Sequence, residues 1–157
     1  MKSLVTGGAG FIGSNLVDEL IKLGHKVVVI DNEYSDVHEQ FYYNDKAEYH
    51  NYDIRDEATR NLYDGVDYVF HLAAEARIQP AVLNPIEAVS INSVGTCTVL
   101  QFAREAKVKR VIYSSTSSGY GLNPAPNVEA QPDDCLNPYS VSKVNGEKLC
   151  SMYTNLF

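Results

Sequence analysis

Two short sets of residues in this chain have the types and the spacing to do chemistry. In Tyr139-Ser140-Val141-Ser142-Lys143 a phenol and a lysine stand four residues apart, so on a helix they share one face. An ammonium near a phenol stabilises the phenolate and draws the tyrosine pKa down from about 10 towards working pH, which makes a usable acid/base. The second set is Gly7-Gly8-Ala9-Gly10-Phe11-Ile12-Gly13, a G-x-G-x-x-G pattern at Gly8, Gly10 and Gly13. Such glycines let a backbone turn sharply and approach a pyrophosphate, which the positive end of the following helix dipole stabilises. Neither pattern is specific alone, since ordinary helices carry Y-x-x-x-K and glycine turns are common. Their context decides.

The context is present. Lys2 to Thr6 reads as a short apolar strand running straight into the glycine turn. A helix follows, with apolar residues at Ile12, Leu16, Leu20 and Leu23, and ends at Gly24. A second strand, Lys26 to Asp31, finishes on a carboxylate. Strand, glycine turn, helix, strand and an acid about 20 residues on are the elements of a dinucleotide site. Asp31 can accept hydrogen bonds from both hydroxyls of an adenosine ribose but repels a 2′-phosphate. Asn32, Glu33, Tyr34, Ser35 and Asp36 add no Arg or Lys to neutralise one, so NAD is expected rather than NADP. The alternative for Asp31 is a plain loop cap.

Further along, strands and helices alternate. A tyrosine-rich stretch (Tyr34, Phe41, Tyr42, Tyr43) without clear periodicity is placed over the adenine side. A third strand is expected from Ala47 to Tyr52, a fourth from Tyr68 to Ala73 and a fifth from Arg110 to Ser115. Asn84-Pro85 has the form of an N-cap followed by proline at the first helical position, and Asn137-Pro138 repeats it. The first of these helices is expected to run to about Ala106, with Ile91, Val94, Val99, Phe102 and Ala103 as apolar positions. The pattern predicts an α/β fold: a doubly wound, Rossmann-like parallel sheet of about five strands with helices on both faces.

The 157 residues make one domain, 1–157, with a core of its own. The net charge of −7 and the scattered basic residues exclude a clustered nucleic-acid surface. No apolar run reaches the roughly 18 residues of a membrane span, and no signal-peptide apolar segment precedes the glycine turn. Cys97, Cys135 and Cys150 are odd in number and far apart, as expected of idle thiols in a reducing cytoplasm. His25, His38, His50 and His71 are isolated, with no metal-ligand spacing, so no metal is expected.

Taken together and in order, Thr6 to Gly13, Asp31-Asn32, Asp53-Ile54-Arg55-Asp56, His71-Leu72-Ala73-Ala74, Asn92, Ser114-Ser115-Thr116 and Tyr139 to Lys143 resemble the extended short-chain dehydrogenase/reductases. Within these, the chain is most similar to the NAD-dependent sugar-nucleotide epimerase/dehydratase group. The resemblance implies that Gly7, Gly10 and Gly13, with Phe11 and Ile12, hold the pyrophosphate of NAD. Asp31 and Asn32 would hold the adenosine ribose, and Asp53 and Ile54 would meet the adenine edge. Leu72, Ala73, Ala74 and Ser114 would line the cofactor, and Asn92 would shape the central site from the following helix. Thr116 would hydrogen-bond the reacting sugar hydroxyl and Tyr139 would be the acid/base. Lys143 would bind the nicotinamide ribose and tune the tyrosine. Read without the resemblance, Asp53 is a helix cap and Asn92 a surface helix residue.

Dehydratases of the group usually carry two acids after the threonine; Ser117 and Ser118 stand there instead, which favours 4-epimerase-like chemistry on a UDP-hexose. Gly119 replaces a usual valine and is expected to loosen the loop. The resemblance also implies a sixth strand and a C-terminal substrate lobe, and both would lie beyond Phe157. It implies a homodimer built from the helices near 85–106 and 138–155. Arg77 could touch a substrate phosphate or form a surface ion pair. Three functions fit: an NAD-dependent sugar-nucleotide epimerase, another reductase or decarboxylase of the same superfamily, or a non-enzymatic NAD-binding dimerisation module or half of a split enzyme.

Overall fold

The computed structural model describes residues 1–35 and 40–157; Asp36 and His38, read above for local charge and metal spacing, lie outside the described residues. The strands are β1 (Lys2–Thr6), β2 (Lys26–Ile30), β3 (Glu48–His50), β4 (Tyr68–His71) and β5 (Arg110–Tyr113). They form one sheet in the order β3-β2-β1-β4-β5, with every neighbouring pair parallel. The registers bring Thr6 level with Ile30 on one side and His71 on the other, so the carboxyl ends of the three central strands finish together.

Side chains alternate across β1, and the two faces build two cores. Leu4 joins Ile30, Val69, Ile54, Tyr63, Val99, Phe102 and Ala103 on one face. Val5 joins Val27, Val29, Val17 and Leu20 on the other. This is the expected doubly wound arrangement, and the apolar runs in β1 and β2 are buried on both sides as a parallel sheet requires.

Helix α1 (Phe11–Lys22) buries Gly13, Val17 and Leu20 against the sheet. Two of the expected core positions, Ile12 and Leu23, are exposed. Ile12 sits at the open mouth of the helix, and Leu23 is already its C-cap. The expected strands are also shorter at their ends, where the backbone bends away towards the site: the third is Glu48–His50, and the fourth and fifth stop at His71 and Tyr113.

The helix expected from Pro85 to about Ala106 is three pieces. Helix α3 (Pro85–Val89) passes into a π-helical turn (Ser90–Gly95) and then into α4 (Thr96–Glu105). A short helix α2 (Ile78–Leu83), which the sequence pattern does not announce, precedes them. The π turn swings Asn92 inward, where it is 1 % exposed, and brings Gly95 against Ile54; a Cβ on Gly95 would stand 2.5 Å from Ile54 Cδ1. Packing against the loop after β3 thus overrides the regular helical period.

Helix α5 (Pro138–Leu156) starts as expected. The Asn137 side chain accepts the Ser140 N–H at 2.9 Å, and Asn137 N–H donates to Ser140 Oγ at 3.3 Å, a reciprocal cap behind Pro138. Asn137→Ala is expected to lower stability by about 1 kcal/mol, read as a lower urea midpoint with unchanged slope.

Candidate active site

The carboxyl ends of β1, β2, β4 and β5 open on a groove of about 710 Å³. At its centre the glycine turn is pressed against the sheet. Gly7 has φ +71°, and a Cβ there would lie 2.7 Å from the Ala73 N. A Cβ on Gly13 would lie 2.7 Å from the Cα of Gly8. Gly7, Gly10 and Gly13 line the groove, whereas Gly8 faces inward, where a Cβ would meet Val29 Cγ1 at 2.6 Å. The glycines at the groove are therefore Gly7, Gly10 and Gly13, and Gly8 of the G-x-G-x-x-G reading is a packing glycine. Gly10 caps α1 without a side-chain hydrogen bond, and the first turn carries no acid. The first amides of α1 are left to the groove, which Phe11 and Ile12 flank.

At one end of the groove, Asp31 Oδ2 accepts the Ala9 N–H at 2.9 Å and Oδ1 accepts the Glu33 N–H at 2.8 Å. The carboxylate thus ties the glycine turn to the end of β2, and each oxygen keeps lone pairs for a further donor. Asp53 is not a helix cap. Arg55 grips it with Nε at 2.9 Å and Nη2 at 2.7 Å, and Asn32 Nδ2 approaches it at 3.4 Å. Burial would raise the Asp53 pKa, but the hydrogen bonds and charge of Arg55 hold the carboxyl below its ordinary value. Arg55 also reaches Glu87 at 2.8 Å and Ser90 Oγ at 2.7 Å, which anchors this end to α3 and the π turn. Ile54, Tyr34, Phe41 and Tyr52 complete that wall.

At the other end stand Leu72, Ala73, Ala74, Ser114, Tyr139 and Lys143. Tyr139 also lines a second cavity of about 630 Å³, together with Thr116, Ser118, Arg77 and Gln79. Thr116 is therefore on the second cavity and not on the groove; its Oγ1 accepts the Ser118 N–H at 3.0 Å and keeps a proton to donate. Asn92 lines neither cavity. Its Oδ1 accepts the Glu75 N–H at 2.9 Å, and its Nδ2 donates to Glu75 O at 3.0 Å and Ser142 Oγ at 2.9 Å. It is a buried brace between the loop after β4 and α5, and it acts by positioning.

Behind the groove lies a buried polar column. Thr96 donates its proton to Asn92 O at 2.6 Å, so Thr96 Oγ1 must accept from His71 Nε2 at 2.9 Å. His71 Nδ1 is then the acceptor from Thr6 Oγ1 at 2.7 Å, and Thr6 Oγ1 accepts the Ala73 N–H at 3.3 Å. The column assigns His71 the neutral Nε2–H tautomer. Burial, with Lys143 close by, pushes its pKa down to about 3, so it stays neutral. Lys143 is 3 % exposed, and burial draws its pKa down to about 8 against the pull of Cys150 and Glu147.

Comparison with known proteins gives this geometry its family. Residues 3–157 match the family model described as the NAD dependent epimerase/dehydratase family. The chain is 39% identical over 164 residues to the UDP-glucose 4-epimerase of Mycolicibacterium smegmatis, covering 100% of this chain and 52% of that protein. It is 36% identical to the UDP-N-acetyl-alpha-D-glucosaminuronate decarboxylase of Bacillus cytotoxicus, over 97% of this chain and 50% of that one. In three dimensions it matches the Thermotoga maritima UDP-glucose 4-epimerase, determined with UDP-glucose, at a TM-score of 0.93 and 34% identity, covering 100% of this chain and 52% of the other. The chain belongs to the NAD-dependent epimerase/dehydratase family. It spans about half the length of the curated relatives it matches.

The cofactor of the family is NAD, and the residues here fit it. The turn has no room for side chains, the amides at the start of α1 are open to an anion, and Asp31 presents an acceptor at the ribose end. Gly119, expected from the sequence to loosen its loop, is instead held firmly. Gly119 is buried in a 3₁₀ turn (Ser117–Tyr120) against Val144, and its carbonyl accepts the Asp134 N–H at 2.8 Å. Among the described residues, no three His, Cys, Asp or Glu side chains gather as metal ligands, and no helix is long and apolar enough to cross a membrane. The sequence reading missed Tyr113, Ser142, Glu75 and the role of His71. Each acts through buried contacts that carry no motif.

The ordinary lysine pKa of 10.5 falls to about 8 in the folded chain, so below pH 8 the buried charge opposes folding in full. Between pH 8 and 10.5 the unfolded chain holds the extra proton and that opposition fades. Lys143→Met is accordingly expected to raise stability at pH 7 by up to about 3 kcal/mol, with the gain vanishing by about pH 10.5 in urea melts.

Proposed function

We propose that this chain forms the NAD-binding, proton-transferring half of an epimerase acting at C4 of a UDP-hexose. The observation that carries the reading is the position of Tyr139 on both the cofactor groove and the second cavity, whose lining it shares with Thr116. A sugar seated in the second cavity would have its reacting hydroxyl between these two residues and its C4 towards the groove.

In this reading Gly7, Gly10 and Gly13, with the amides of Phe11 and Ile12, take the pyrophosphate. Asp31 and Asn32 take the adenosine ribose, and Asp53 and Ile54 the adenine edge. Leu72, Ala73, Ala74 and Ser114 flank the nicotinamide half, and Lys143 binds its ribose. When bound, NAD supplies a hydride acceptor that returns the hydride to the sugar. Tyr139 accepts the proton of the 4-hydroxyl and later gives it back, Thr116 orients that hydroxyl by donating its free proton, and Lys143 favours the phenolate. Ser117 and Ser118 are not carboxylic acids that could remove and return protons during water elimination, which supports epimerisation over dehydration. The relatives compared include epimerases acting on UDP-glucose and, among solved structures, one from Methanobrevibacter ruminantium acting on UDP-N-acetylglucosamine.

A homodimer completes the proposal. Leu83, Ile86, Val89, Val94 and Val141 are exposed on α2, α3, the π turn and α5, which pack side by side. An apolar face of this kind calls for a cover, and a second copy would provide one. Three free thiols support a reducing, cytoplasmic setting.

Calorimetry on the cofactor-stripped chain is expected to show NAD binding at least about tenfold tighter than NADP, with Asp31→Ala closing the gap. Equal affinities would refute the Asp31 assignment. Tyr139→Phe is expected to lower sugar-dependent reduction of bound NAD by about 10²–10⁴-fold while leaving NAD affinity within about twofold. Undiminished reduction in that variant would remove Tyr139 from the chemistry.

A further inference from the structure

Tyr113 ends β5, level with His71 on β4, and no motif singles it out. Its side chain nevertheless holds Lys143 at both ends. The phenol donates to the Lys143 carbonyl at 3.0 Å, and the ring face lies 4.4 Å from the Lys143 ammonium. One rigid side chain thus spans the backbone and the charge of the same residue.

The neighbours keep that ring in place. Gly146, one turn along α5, leaves the space it occupies; a Cβ there would stand 2.5 Å from Tyr113 Cζ. The His71 imidazole packs on it with ring centroids 5.6 Å apart, and the column through Thr6 and Thr96 fixes His71 in turn.

Lys143 depends on such support. It forms no ion pair among the described residues, although it is almost wholly buried. The groups around it are Glu147, Cys150 and Tyr139 on α5, His71 on β4 and Tyr113 on β5. His71 is neutral, and Glu147 is engaged as acceptor for Ser115 Oγ. The aromatic face is an electron-rich surface directly beside the ammonium, and a desolvated cation over such a face is attracted more strongly than one in water.

We infer that Tyr113 is a positioning residue, whose ring and hydroxyl hold the Lys143 amine against the cofactor groove. The inference rests on the groove being the NAD site, as proposed above. Tyr113 lines neither cavity. A merely structural Tyr113 would weaken the fold without regard to Lys143, whereas a positioning Tyr113 acts only when Lys143 is present.

The test is a double-mutant cycle, with Tyr113→Leu and Tyr113→Phe made in the natural chain and in Lys143→Met. NAD affinity is read by calorimetry, and the Lys143 ε-methylene protons by NMR of lysine-labelled chain. The natural chain is expected to show these protons shifted upfield by the ring. Tyr113→Phe keeps the shift and loses at most about twofold in affinity. Tyr113→Leu abolishes the shift and weakens NAD about tenfold, but changes nothing further in Lys143→Met. A Tyr113→Leu loss that persists undiminished in Lys143→Met overturns the inference, as does an unshifted ε-methylene in the natural chain. Should Tyr113→Leu fail to fold, Gly146→Ala, which displaces the ring without removing it, must reduce the same shift. A ring-shifted Lys143 in a chain that binds no NAD supports the placement of Lys143 and refutes the cofactor reading instead.

Discussion

The space between the first turn and the end of β4 admits backbone and nothing else. Gly7 runs so close to Ala73, and Gly13 so close to Gly8, that a methyl group at either position would force the first helix off the sheet. That close approach aims the uncapped start of α1 across the strand ends. It also sets the distance from the glycine turn to β4, and so to everything β4 and β5 present. The Ala9 N–H donating to Asp31 binds the same turn to β2. The groove exists because three strand ends and one helix start converge on a turn without side chains.

The second constraint is electrostatic. Lys143 is buried without a counter-ion, and burial alone would favour its neutral form. The fold answers with His71 locked neutral by two threonines and a tyrosine face under the ammonium, while Cys150 and Glu147 offset the burial only in part. Bringing an anionic partner to Lys143 would raise its pKa, whereas this setting leaves it at about 8, so the amine is charged at pH 7 but close to its titration. A buried, weakly held proton next to Tyr139 is the state an acid/base pair needs. In the proposed reading stability is given up at this point for proton transfer, and the burial of the charge is why removing the lysine is expected to strengthen the fold.

Much of this was legible in the residues. The strand–turn–helix–strand–acid order located the groove, and the two Asn-Pro pairs located the starts of α3 and α5, because caps and proline act locally. The resemblance gathered residues from β1 to α5, and the structure brings nearly all of the proposed site residues to one groove, Thr116 and Asn92 excepted. What escaped depends on contacts distant in the chain. The π turn arises from Gly95 meeting Ile54, and Asn92 faces inward only because of that turn. Gly8 and Gly7 are indistinguishable as letters, yet one packs on Val29 and the other lines the groove. Tyr113 reads as an ordinary strand aromatic, since its partners, Lys143 and Gly146, are about 30 residues away on α5.

The most direct test of the account is to map NAD onto the chain by amide NMR. The account predicts that NAD moves the Phe11, Ile12 and Gly13 amides most, as an anion at the start of α1 must, together with Ala73, Ala74 and the first turns of α5. Movement confined to residues away from the glycine turn, or none at saturating NAD, would contradict it.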